Sequence, residues 1–280
     1  MTIRIVTDST SDLPQSVIDR YGIVVINNYI NMQGKSYLDG IDISRQEFYQ
    51  RLPGCNPSPT TSGPGIDTYV RTYQRLAEEG ASEIISIHVA SEFSNITNIA
   101  ILAAREIHEL PVTVIDSKQL SLGLGYQVIA AARAAAAGCP VKEIKELVGE
   151  MISRVYIFAV LDTLEYLQRS GRVSRVMSGL GNLLQVKPVI TVYNGLVNID
   201  RERTLKKATQ RMIELAERIA PLEHLSLVHA HALERVENLR AIIDYLIPND
   251  KQSYSEEVTP IIGVHVGPGT IAMVCVAAPS

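Results

Sequence analysis

Tryptophan is absent from this 280-residue chain and phenylalanine occurs only three times, so aliphatic side chains and tyrosine must fill the core. Cysteine is equally scarce. Cys55, Cys139 and Cys275 are odd in number and far apart, a spacing that supports neither a disulfide framework nor a zinc knuckle and points to a reduced, cytoplasmic setting. No excess of positive charge exists, because 26 Lys and Arg stand against 30 Asp and Glu for a net charge of −4. Nucleic acid or an anionic membrane would call for a basic stripe, so neither partner is expected. Long apolar runs are missing as well. The most aliphatic stretch, residues 128–137, is broken by Arg133 and falls well short of the roughly 18 apolar residues of a membrane span. The opening MTIRIVTDSTSDL reaches acidic and turn residues too early for the apolar region of a signal peptide, so no membrane insertion is expected.

Several catalytic signatures are also lacking. No GxxxxGK[ST] phosphate loop occurs, and Gly123-Leu124-Gly125 has Val128 where a dinucleotide fingerprint needs its third glycine. Without a GxSxG elbow, a serine hydrolase of the usual type is not expected. His229-Ala230-His231 offers two imidazoles, but alternate strand residues point to opposite faces and no HExxH or cysteine cluster supports a metal there. No metal and no cofactor are expected.

What is present is the pattern of an α/β protein. Residues 3–7, 23–30, 83–89 and 112–116 are short β-branched runs, with helical patterns over 64–80, 96–110 and 123–138 between them. That alternation predicts a parallel sheet with helices on both faces, a three-layer N-terminal domain over residues 1–153. Residues 31–43 read as a hairpin about Gln33-Gly34, and 53–65, with four Pro and three Gly, as a loop. From residue 154 to 280 hairpins and helices mix. Strands are expected at 155–161, 188–193, 196–200, 225–229, 261–266 and 271–277, and helices at 164–168, 205–219 and 233–246. Asn194-Gly195 marks a tight hairpin. A two-layer domain with a mixed sheet follows.

Four loops rich in hydroxyls and glycine lie at the ends of apolar strands: TDSTSDL (7–13), PTTSGPG (59–65), SEFSN (91–95) and HVGPGT (265–270). Loops at the carboxyl ends of strands line the ligand crevice of open α/β sheets, and hydroxyls with free backbone N–H groups suit a carboxylate or phosphate. For any single loop helix capping is the simpler account, with Thr10, Ser62 and Ser94 placed as caps. Capping explains neither His265 nor PTTSGPG, so the four together favour a ligand site.

These loops, with VIDSKQLSLGLG at 114–125, YLQRSGRVS at 166–174, KPVITVYNGLV at 187–197, Arg203-Thr-Leu-Lys-Lys-Ala208 and HVGPGT, resemble the DegV family along essentially the whole chain. The resemblance implies a two-domain α/β protein that binds a long-chain fatty acid such as palmitate, stearate or oleate between its domains. It further implies a non-catalytic subunit of bacterial fatty acid kinase, whose separate ATP-binding subunit phosphorylates the acyl carboxylate. By the same resemblance Thr61, Ser94 and His265 hold the carboxylate, with Thr60, Ser62, Asn95 and Gly267 beside them, and Arg172 and Arg203 dock the partner. The residue types agree: two hydroxyls and an imidazole can satisfy a carboxylate without a buried Lys or Arg. One departure is local. The family reads Leu-Ser-Gly-Thr where this chain has Phe93-Ser94-Asn95-Ile96, and Asn in place of Gly restricts the backbone and adds a side chain. The alternatives are a stand-alone phosphotransferase related to dihydroxyacetone kinase, and an esterase using Ser94 and His265.

Overall fold

The computed structural model describes residues 2–171, 186–248 and 253–279. In chain order the elements begin β1 (Ile3–Asp8), α1 (Gln15–Tyr21), β2 (Val24–Ile26), β3 (Tyr29–Met32), β4 (Lys35–Leu38), α2 (Arg45–Arg51) and β5 (Thr60–Ser62). They continue with α3 (Ile66–Glu78), β6 (Glu83–His88), α4 (Ile96–Arg105), β7 (Val112–Asp116), α5 (Ser121–Ala136), α6 (Val141–Ile152), β8 (Val155–Val160) and α7 (Glu165–Arg169). The last are β9 (Lys187–Tyr193), β10 (Leu196–Glu202), α8 (Leu205–Glu217), β11 (Leu222–His229), α9 (Leu233–Ile242), β12 (Ser255–Glu257), α10 (Pro260–Val266) and β13 (Ile271–Ala277). Among the described residues no helix is long and apolar enough to cross a membrane.

Two compact units result. The first comprises Met1–Tyr29 with Ser62–Ser153, the second Ile30–Thr61 with Arg154–Ser280. Residues 30–61, expected in the first domain, therefore belong with the second. Their side chains explain it: Phe48 and Tyr49 of α2 are buried, and Tyr49 Oη donates to the Val258 carbonyl at 3.2 Å.

In the first unit a four-stranded sheet runs β2-β1-β6-β7, parallel throughout. Its strands are nearly continuous aliphatic runs because both faces are covered, and Ile5, Val6, Ile84, Ile85 and Ile87 are all buried. The amphipathic helix α6 was not anticipated, although Ile144, Val148 and Met151 sit at the i, i+4, i+7 spacing of one buried face.

The second unit carries a six-stranded sheet, β10-β9-β8-β13-β11-β12, antiparallel except for the β11–β12 pair. Phe158, Val160, Leu225, Leu227, Met273 and Cys275 form a core with Ala208, Met212 and Ala216 of α8 and Val236 and Leu239 of α9. Asn194 and Gly195 take positive φ of 46° and 75°, the turn that the β9–β10 hairpin requires. Gln33 and Gly34 do the same for β3–β4, which joins β5 in a small sheet ordered β4-β3-β5.

Residues 261–266 are helical, not a strand. The β-branched run Ile261-Ile262 suggested extended backbone, but Pro260 at the first helical position presets φ for a helix. The loop expected at 53–65 also contains β5, placing Thr61 on a strand.

Candidate functional site

Thr61 and His265 meet in the second unit. Thr61 projects from β5, and His265 lies in the last turn of α10 with its Nε2 3.0 Å from Thr61 Oγ1. Thr60 and Ser62 are exposed and, by strand alternation, lie on the face opposite Thr61, so the three hydroxyls do not converge.

Helix α10 is placed by glycine at two kinds of position. A Cβ on Gly263 would stand 2.6 Å from Tyr49 Oη and 2.8 Å from Phe48, so its absence lets α2 close on α10. Beyond the helix, Gly267 has φ +72° and its missing Cβ would lie 2.1 Å from the Tyr166 ring. Its N–H donates to Gly263 O at 2.9 Å, closing the helix. Gly269, at φ +85°, leaves room for Asp162 Oδ2.

Asp162 is the anchor of this loop. Lys187 Nζ stands 3.1 Å from one carboxylate oxygen and Arg235 NH1 3.0 Å from the other, while the same Arg235 nitrogen donates to Gly269 O at 2.8 Å. Burial pushes the Asp162 carboxyl up, but the Arg235 guanidinium and Lys187 ammonium hold it below the usual carboxylate range. Gly269 N donates to Ala230 O at 2.7 Å and Ala230 N to Thr270 O at 2.9 Å, so HVGPGT is tied along its length.

In the first unit Ser94 precedes α4. Its N–H donates to Ala90 O at 3.2 Å and its Oγ accepts weakly from Ile96 N at 3.4 Å. The other two expected caps do not cap: Ser62 lies in β5 with Gly65 preceding α3, and Thr10 instead donates its N–H to Asp8 at 3.0 Å, so that Asp8 caps the short turn Ser9–Ser11. Asn95 has φ −84°, open to any residue, and its Oδ1 accepts from Asn98 Nδ2 at 2.9 Å. The departure from glycine therefore leaves the backbone unstrained, and the added side chain is engaged by its own helix.

The first unit also holds a chain of buried polar side chains that sequence reading missed. Asp8 Oδ2 is 3.0 Å from His88 Nδ1, His88 Nε2 is 2.7 Å from Ser86 Oγ, and Ser86 Oγ is 2.8 Å from Tyr73 Oη. Carboxylate, imidazole and hydroxyl stand in hydrolase order. Yet Asp8, His88 and Ser86 are all 0% exposed and Tyr73 covers the serine, so no substrate reaches it. A histidine inside the apolar run IISIHV was the available signal.

His229 is buried, its Nδ1 accepting from Ala232 N at 3.3 Å, while His231 is exposed and stacks on Tyr49. Among the described residues no cluster could hold a metal ion. Arg203 is exposed just before Thr204, whose Oγ1 caps α8 by accepting from Lys207 N at 3.2 Å. Arg172 lies outside the described residues.

A two-unit α/β protein with a hydroxyl and an imidazole paired at a glycine-shaped helix end is the class that this geometry defines. The comparisons narrow it. The family model described as "Uncharacterised protein, DegV family" matches residues 2–278, and the chain belongs to that family. A DegV domain-containing protein of Streptomyces coelicolor is 33% identical over 276 residues, covering 97% of each chain. Among solved structures, a DegV family protein of Thermus thermophilus described for its fatty acid binding superposes with a TM-score of 0.90 at 31% identity, over 99% of this chain and 100% of that one. DegV of Bacillus subtilis, described as a fatty acid binding protein, gives 0.89 at 28% identity over 99% of each.

Proposed function

We propose that this protein is a non-catalytic carrier of one long-chain fatty acid such as palmitate, stearate or oleate, and presents the carboxylate to an ATP-binding fatty acid kinase subunit. The Thr61–His265 pair at 3.0 Å carries the reading, together with the fatty acid binding described for the Thermus and Bacillus relatives. With His265 donating Nε2–H to Thr61 Oγ1, the threonine hydroxyl proton is left to donate to a carboxylate oxygen. Ser94 supplies a second hydroxyl. Neutral donors satisfy the head group without burying a Lys or Arg charge, and each buried methylene of the tail adds roughly 0.8 kcal/mol. Arg203, exposed beside α8, takes the role of a docking contact, as does Arg172.

Organic extraction of the denatured protein followed by mass spectrometry tests the carrier role. About one fatty acid per chain is expected. Absence of acyl lipid, with no binding of added palmitate or oleate, refutes it. Incubation of the loaded protein with ATP should yield acyl phosphate only when the kinase subunit is added. Product formed with ATP alone would instead favour a phosphotransferase.

A further inference from the structure

Asp8 is a fully buried carboxylate around which several donors converge. Thr10 N at 3.0 Å, Asn28 Nδ2 at 3.4 Å, Val89 N at 3.1 Å, His88 Nδ1 at 3.0 Å and the Thr10 hydroxyl all point at it. Burial pushes its carboxyl up, but the hydrogen bond and charge of His88, with Thr10 and Val89, bring it below the usual range. A buried charge supported this fully fixes whatever it binds.

The two residues after β6 are what it fixes, and every backbone polar group they carry is occupied. Val89 N donates to Asp8, and Val89 O accepts from Thr97 Oγ1 at 2.8 Å. Ala90 N donates to Gln119 O at 2.9 Å, and Ala90 O accepts from Phe93 N at 2.9 Å and Ser94 N at 3.2 Å. Two short paths thus lead from Asp8 to the Ser94 loop. One runs through Ala90 O to the Ser94 amide, the other through Val89 O and Thr97 to the first turn of α4. No other role is needed for His88, whose imidazole links Asp8 to Ser86 and so to Tyr73 of α3.

We infer that Asp8, held by His88, is a positioning residue for the head group: through Val89–Ala90 and Thr97 it sets where Ser94 Oγ stands. This rests on the proposal that Ser94 binds the carboxylate, and the test separates the two. Fatty-acid affinity is measured by titration for Asp8→Asn, Thr97→Val, Thr97→Ser and Ser94→Ala, and for the first two combined with Ser94→Ala. Thr97→Val is included because Asp8→Asn removes a buried carboxylate on which several donors converge and can fail to fold. Asp8→Asn and Thr97→Val should each weaken binding roughly fivefold when Ser94 is present, the equivalent of one hydrogen bond, and add nothing once Ser94 is alanine. Thr97→Ser, which keeps the hydroxyl, should restore wild-type affinity. Losses that persist undiminished in the Ser94→Ala background, or no loss from Thr97→Val, overturn the positioning role while leaving Ser94 as a ligand. A Ser94→Ala protein that binds as tightly as wild type instead removes Ser94 from the head group, and the positioning role with it.

Discussion

Gly267→Ala separates two costs that the geometry makes independent. The residue sits at φ +72° and ψ 166°, a region that side chains avoid, and an added Cβ would lie 2.1 Å from Tyr166 Cδ2. The backbone cost is about 1–3 kcal/mol for a residue forced into a glycine-only region. The clash is with the body of the ring, since Cγ is itself 2.7 Å away, so the whole tyrosine must move. Overpacking of this sort costs a further 1–3 kcal/mol or so. The total for Gly267→Ala is then about 2–6 kcal/mol, and only the second part should vanish in a Tyr166→Ala background. Urea unfolding followed by far-UV circular dichroism suits a chain without tryptophan, and the midpoint shift at constant slope gives the difference. A loss below about 0.5 kcal/mol, or one that Tyr166→Ala leaves undiminished, refutes the account of this loop.

Three further outcomes are expected. Thr61→Val should weaken fatty-acid binding by one charge-assisted hydrogen bond, about 1.5–3 kcal/mol by calorimetry, with little change in unfolding midpoint. Arg203→Ala should leave loading intact, slow acyl-phosphate formation with the kinase subunit, and reduce the salt dependence of that reaction. Asp8 and Asp162 both have carboxyls depressed below the free value of 3.8, so the stability they add is fully present above about pH 4 and is lost as pH falls through their folded values. Acid titration of the unfolding midpoint should show that loss, and Asp162→Asn should lessen it.

The parallel sheet and the β9–β10 hairpin were legible because period and turn chemistry are local properties: β7 and β13 begin and end where their apolar runs do. Helix α10 was not, because Ile261-Ile262 favours a strand on propensity while the deciding contacts, Gly263 against Tyr49 and Phe48, come from residues about 210 positions away. The same distance hid the membership of residues 30–61 in the second unit. Of the residues expected at the site, motifs marked Thr61 and His265, which meet at 3.0 Å, and Ser94, which stands in the first unit. Asp162 was not, since its place under Gly269 depends on Lys187 and Arg235, which no spacing connects. Asp8 stood in a motif already marked, but as one hydroxyl-rich loop residue among several. Its partner His88 lies on another strand, and only the parallel register, Val6 opposite Ser86, brings the two side chains to one face.

The choice of neutral donors has a consequence for the proposed role. A palmitate tail of about 14 methylenes contributes roughly 11 kcal/mol gross, several times the 1.5–3 kcal/mol of one charge-assisted hydrogen bond at the head. Occupancy is then governed by the tail, and the head-group residues are left to govern orientation. An arginine opposite the carboxylate would add affinity that a carrier of this kind does not need. It would also neutralise the oxygen that has to attack the phosphoryl group of ATP. The Thr61 hydroxyl, oriented by the His265 imidazole, holds the same oxygen by a hydrogen bond while leaving its charge uncompensated. A Thr61→Val protein should therefore still emerge from the cell loaded, since a loss of about 1.5–3 kcal/mol leaves most of the tail energy in place. The same protein should be phosphorylated slowly by the kinase subunit, because the carboxylate is no longer held in one orientation. Loading and reactivity that fall together would mean that the head group, not the tail, governs binding.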